Sequence, residues 1–343
     1  MRSLRAFPDS GWLLAASVLV TIALLAFGSL MLGRYPLTPR MVFDALTGGL
    51  RGVQGKGGDT ALTIVLMVRL PRVAAALLVG GALSTAGLAY QNLFRNPMAS
   101  PSLLGVSAGA GFGASLAIMT GQSPLVVEAA AFAFGLASVG VAILVNRADG
   151  TRSIVTLVLC GMVMSALFEA FISLLKYVAD PTEALASITF WLMGGLGKAN
   201  GLDVAFLAAP VLIGGAILLM SSWRISVLAL GEMEAAALGV DVAATRAIVI
   251  ICATAMSAAA VSVAGIVGWV GLLIPHMARL AFGLDPFRLT IATAALGGAF
   301  LLCMDDVARS IAPVEVPLGV LTAIVGAPFF LVLLLNSRKR GWA

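Results

Sequence analysis

Charge is what this sequence has least of. Only 11% of its 343 residues are Asp, Glu, Lys or Arg, against about 25% in a water-soluble globular protein. That scarcity excludes an ordinary soluble enzyme, because the chain lacks the polar side chains to cover domains of this length. Histidine occurs once, at His276, which excludes two-histidine metal motifs such as H-E-x-x-H. The three cysteines, Cys160, Cys252 and Cys303, sit singly in apolar runs without C-x-x-C spacing and read as small buried residues. A phosphate loop is missing too: the glycine run from Gly48 to Gly58 departs from G-x-x-x-x-G-K-[ST] at Leu50 and Gly57. No catalytic residue, cofactor or metal site is expected, and if ATP drives this protein the ATPase is a separate subunit.

Apolar residues are abundant, at 60%, with 38 Gly and 14 Pro among them. A spanning helix takes about 20 apolar residues, and closely packed, locally broken membrane helices tolerate Gly and Pro. An all-α polytopic membrane protein is expected, with about ten transmembrane helices at 11–33, 70–90, 103–120, 125–145, 153–178, 203–221, 245–264, 266–283, 289–309 and 317–335. The first is too long for a signal-peptide core. Arg2 and Arg5 at one end and Arg338-Lys339-Arg340 at the other place both termini in the cytoplasm by the positive-inside rule. The net charge of +5 reads as this loop charge rather than as a nucleic-acid surface.

Three segments do not span. Residues 34–69 are expected as a flexible outer loop. Residues 180–200 hold a short apolar helix from Ala184 to Met193, read as a periplasmic re-entrant or interfacial helix. Residues 222–245 form an inner knob in which Glu232, Glu234 and the alanines favour a short helix and Gly239 stands where a C-terminal cap would.

Several ordered motifs carry a family resemblance. Arg69-Leu70-Pro71-Arg72, then Arg95-Asn96-Pro97-Met98-Ala99, then Leu230-Gly231-Glu232 with Ala235, Leu238 and Gly239, then Gly268-Trp269-Val270-Gly271 leading to Pro275-His276, and Gly326-Ala327-Pro328 resemble the FecCD family. Its members are permease subunits of type II ABC importers for iron–siderophore complexes, haem and cobalamin. The resemblance implies one transmembrane permease domain over 1–343 in a bacterial inner membrane, with helices 2–5 and 7–10 as inverted halves. It also implies a homodimer served by two cytoplasmic ATPases and a periplasmic substrate-binding protein, moving a metal chelate past the surrounding lipid.

The same resemblance gives roles to residues. Arg69, Arg72 and Arg309 match the outer positions where a binding protein docks through its glutamates; snorkelling, with Asp305, Asp306 or Glu315 as local partners, is the competing reading, above all for Arg72. Gly231, Glu232, Ala235, Leu238 and Gly239 match the coupling helices that seat on the ATPase, with Glu232 and Glu234 offering charge complementarity; a plain solvated loop helix is the alternative. Ile154 and Val155 match an inner gate, and Glu169, seven residues before Lys176, faces either the pathway or a buried partner. His276 follows Pro275 and is read as satisfying carbonyls that the proline leaves unpaired. An iron–siderophore or similar chelate is the expected cargo, with haem, cobalamin and molybdate as alternatives. An ion-coupled secondary transporter is the competing class, and a membrane anchor a third.

Overall fold

Every regular element of the computed structural model is helical among its described residues, 10–33, 35–48, 56–148, 150 and 153–338. The basic ends carrying Arg2, Arg5, Lys339 and Arg340, and most of the glycine run, lie outside them. The chain begins with α1 (Ser10–Met31), α2 (Pro39–Thr47), α3 (Lys56–Thr63), α4 (Leu70–Leu93), α5 (Val106–Met119), α6 (Pro124–Ala148) and α7 (Ile154–Val178). It continues through α8 (Ala184–Met193), α9 (Gly201–Met220), α10 (Ser222–Leu228), α11 (Glu232–Ala237) and α12 (Val242–Ala264). The last three are α13 (Val270–Phe282), α14 (Pro286–Ser310) and α15 (Leu318–Arg338).

Among the described residues, six helices are long and apolar enough, by length and composition, to cross a membrane. Helices dominate because they satisfy their own backbone polar groups where no water can. Two further apolar helices, α5 and α13, have 14 and 13 residues, or about 20 Å each, less than the about 30 Å of hydrocarbon. Irregular segments extend both. A 3₁₀ turn at Pro101–Leu104 precedes α5, and the open stretch Gly265–Trp269, with Trp269 at φ 71°, precedes α13.

The segment expected as an outer loop is largely helical. Thr38 caps α2, its hydroxyl accepting from the Met41 N–H with Pro39 in the first turn. Beyond the glycines, α3 runs into a π-helical turn, Ile64–Arg69, and then into α4 without a break. Pro71 reads as a helix start because its ring crowds the carbonyl four residues back. The wider π turn, in which the Leu70 N–H reaches the Val65 carbonyl, provides the room. The second span therefore begins at Thr60, ten residues before the first residue of the expected span.

Two halves repeat. Helices α4 to α7 have 24, 14, 25 and 25 residues, and α12 to α15 have 23, 13, 25 and 21. The first helix of each half packs against the third of the other, α4 on α14 and α12 on α6. These helices run oppositely: α4 starts at the end holding Arg72 and Asp305, while α12 starts beside α10 and α11. The halves are therefore inverted. Glycine sets the spacing of α4 and α14, since a Cβ on Gly80 would stand 2.1 Å from the Gly297 carbonyl oxygen.

Candidate functional site

Functional candidates collect at the two ends of the bundle, here named the arginine end and the knob end. At the arginine end α4 and α14 are locked by charge. Arg72 donates to both oxygens of Asp305, at 2.8 and 3.0 Å, and to both of Glu315, at 2.8 and 3.0 Å. Asp305 is 1% exposed and Arg72 8%, so the guanidinium and carboxylate replace each other's lost water. Arg69 donates to the carbonyls of Leu30 and Tyr35 at 2.7 and 2.6 Å. Arg309 donates to the Ser29 and Leu32 carbonyls at 2.7 and 2.9 Å and to Asp306, which also accepts from the Ser29 hydroxyl. A helix leaves its last carbonyls unpaired, and α1 has those orphans filled by two arginines, whose positive charge also suits a helix C-terminus.

Arg72 thus has the local partners named for it, Asp305 and Glu315, while Arg309 pairs with Asp306 and shares with Arg69 the carbonyls at the end of α1. All three turn inward, because a buried or half-buried cation needs fixed acceptors and these lie within reach. Glu315, whose side chain stays 43% exposed, remains the more accessible member of the cluster. Nothing in the sequence singled out Ser29, Leu30 or Leu32, whose role depends on carbonyls that every residue carries.

The helix α8 and its exit loop cover the same end. The Gly194 carbonyl accepts from the Leu318 N–H at 3.0 Å, and the Gly195 N–H donates to Ala264 at 2.8 Å. Before α8, the Asp180 carboxylate accepts from the hydroxyl and N–H of Thr182, bonds that hold its carboxyl below the ordinary carboxylate range.

At the knob end α10 and α11 meet at Gly231, whose φ of 149° only glycine tolerates readily. A two-bond cap closes α11: the Val240 N–H reaches the Ala235 carbonyl and the Gly239 N–H reaches Ala236, both at 2.9 Å, with Gly239 left-handed at φ 79°. Ala235 is fully buried beneath the cap. Arg246 of α12 donates to Glu232 at 2.5 Å, and the Glu234 carboxylate lies back over Gly231. Both acids expected to offer charge to a partner thus have neighbours within the chain. Beside these acids, which stay exposed, the knob presents apolar side chains, Leu230, Met233 and Leu238 at 67%, 83% and 55% exposure.

Beside the knob, Gln91 of α4 takes the part expected of His276. Its amide donates to the carbonyls of Gly271 and Leu272 at 3.4 and 3.2 Å; the first is the carbonyl that Pro275, lacking an N–H, leaves free. Its oxygen accepts from Arg279 at 2.6 Å. The signal for this lay in the Gln91 and Arg279 pair rather than in the lone histidine.

The helix α7 is the most open of the long helices. Ile154 and Val155 begin it at the knob end, Val155 being 67% exposed, and Ser153 caps it by accepting from the Val155 N–H at 3.1 Å. Glu169 is exposed fourteen residues beyond Val155, about 21 Å along the axis, so the structure does not bring the two together. Among the described residues no group of three or more His, Cys, Asp or Glu could hold a metal ion.

Known proteins share this arrangement. The chain is 36% identical to the molybdate import system permease protein of Haemophilus influenzae over 334 residues, covering 97% of this chain and 98% of that one. An iron chelatin transport system permease of Helicobacter pylori is 40% identical over 276 residues, 80% of this chain and 83% of that one. A solved structure described as an inward-facing conformation of a metal-chelate type ABC transporter superposes with a TM-score of 0.84 at 36% identity, covering 94% of this chain and 99% of that one. The model of the FecCD transport family matches residues 19–336, so the chain belongs to that family, as a membrane-spanning permease of an ABC importer.

Proposed function

We propose that the chain moves an iron–siderophore or similar metal chelate from periplasm to cytoplasm, as one of two identical permease copies served by two ATPases and a periplasmic binding protein. The observation that carries the reading is the knob. A loop joining α9 to α12 needs only a few residues, yet here two short helices, the second closed by a glycine cap, build an element that exposes Leu230, Met233 and Leu238. Such a face suits a cleft on an ATPase, with Gly231, Glu232, Ala235, Leu238 and Gly239 shaping and anchoring the knob. We place the knob end in the cytoplasm and the arginine end in the periplasm, with Arg69, Arg72 and Arg309 bracing the rim on which the binding protein docks. Open, apolar α7 faces the second copy and the pathway, Ile154 and Val155 forming the inner constriction.

The exposed face of α7, with Leu159, Met162, Leu167 and Phe171, suits a bulky, partly apolar chelate. Molybdate is the second reading, favoured by the nearly full-length match to a molybdate permease. Uptake of a radiolabelled ferric siderophore into proteoliposomes holding the permease, its cognate ATPase and binding protein tests the cargo, with molybdate, haem and cobalamin as competitors. Uptake of the chelate unaffected by molybdate is expected; molybdate uptake without chelate uptake overturns the first reading in favour of the second.

A further inference from the structure

Two acidic side chains meet where α6 and α9 begin. The Glu128 carboxyl of α6 lies within hydrogen-bond reach of the Asp203 carboxylate of α9. Asp203 is buried, and one of its oxygens already accepts from the Asn200 N–H at 2.9 Å, closing a capping box with the Asn200 side chain. One turn further along, Phe132 and Phe206 meet edge to face, their ring centroids 5.5 Å apart. Residues three or four apart share a helix face, so the ring contact keeps the faces bearing the two acids together. Helix α6 ends beside Arg246 and α9 runs into α10 of the knob, so both begin at the arginine end.

No basic side chain offsets this pairing: among the described residues neither acid forms an ion pair, and Lys198, which precedes α9, pairs with neither. Of the helices packed on α6, α5 carries no ionisable side chain, α7 carries Cys160, Glu169, Lys176 and Tyr177, and α12 carries Cys252 and, at the knob end, Arg246. Asp203 is the charged group set against Glu128. Nor does a third Asp, Glu, His or Cys complete a metal-binding group among the described residues. Two carboxyls this close cannot both be ionised unless a cation joins them. We propose that Glu128 and Asp203 share one proton, and that this proton fastens the start of α9 to α6. Such a lock opens as pH rises. Unfolded carboxyls release their protons at about pH 4 while the folded pair keeps one, so the stability it contributes falls as pH climbs above that range. Once the proton leaves, two like charges push the start of α9 away from α6, and α9 leads to the knob. That the periplasm supplies the proton rests on the orientation proposed above, whereas the test below reads the pair itself, so the two fail separately.

Infrared difference spectroscopy of the full chain in detergent, stepped from about pH 5 to about pH 9, reads the proton through the C=O stretch that only a protonated carboxyl shows. Such a band is expected at neutral pH, fading as pH rises. It should be missing in both Glu128→Gln and Asp203→Asn, because the new amide donates to the remaining carboxylate without a shared proton. Over the same range the wild-type thermal midpoint should fall by about 3 °C more than that of Glu128→Gln. Glu183→Gln, at an exposed acid before α8, should follow the wild type. A band that persists in Asp203→Asn would put the proton on Glu128 alone and overturn the proposal. It fails equally if no band distinguishes wild type from Glu128→Gln, or if a chelator lowers the wild-type midpoint, which would make the pair a cation site.

Discussion

Arg72 engages two carboxylates at once, and its neighbour Asp305 is almost fully buried. Removing one member of such a pair leaves an uncompensated charge, at about 3–5 kcal/mol. Arg72→Ala should therefore lower the thermal unfolding midpoint sharply in detergent, while the double variant Arg72→Leu with Asp305→Leu recovers most of the loss. A midpoint as low in the double variant as in the single one would contradict this account of the rim. Gln91→Leu removes the amide that serves both Arg279 and the Gly271 carbonyl, and each polar group so orphaned costs about 1–3 kcal/mol. Chemical unfolding should register that loss, whereas His276→Leu should leave stability nearly unchanged. These partners show what a sequence hides at this scale. The cluster of Arg72, Asp305 and Glu315 could be anticipated from charge types at helix ends. The carbonyls that receive Arg69 and Arg309 could not, because a backbone acceptor has no residue signature.

Among the elements, the knob was the most legible, since its glycines and its alanine run act within ten residues of one another. Gly231 and Gly239 both adopt positive φ, and their spacing alone marks a short helix between two turns. Its chemistry was less legible: Glu232 and Glu234 look free until Arg246 arrives from α12 and Glu234 bends back over the turn. The apolar residues of the knob therefore become the better test. Met233→Asp and Leu238→Asp lie on exposed positions and should alter stability by no more than about 0.5 kcal/mol. Stimulation of the partner ATPase should nevertheless fall by an order of magnitude or more, because a charge is placed in an apolar contact. Glu232→Gln, which breaks only a half-exposed ion pair, should retain most of it. ATPase assays on the co-purified complex would separate the two, and equal loss in all three variants would mean that the knob is only a folded loop. The run from Lys56 to Arg69 was the element least visible in advance. Its helix depends on a π turn that makes room for Pro71, and sequence periodicity does not register one extra residue in a turn.

For the molecule as a whole, the ten apolar spans were readable because hydrocarbon admits so few backbone arrangements. Their inverted halves, implied beforehand by the resemblance, show in the packing, with α4 on α14 answered by α12 on α6. That architecture puts a braced rim at one end, an apolar knob at the other, and an open helix, α7, between them. Its central claim is that force enters at the knob and comes from ATP. The most direct measurement is substrate uptake by proteoliposomes containing the permease, its ATPase and its binding protein, with ATP and ion gradients controlled separately. The account predicts uptake that requires ATP, is indifferent to collapse of proton and sodium gradients, and is lost in the Met233→Asp, Leu238→Asp double variant. Uptake that continues without ATP while a gradient is kept would contradict it and make the protein an ion-coupled carrier.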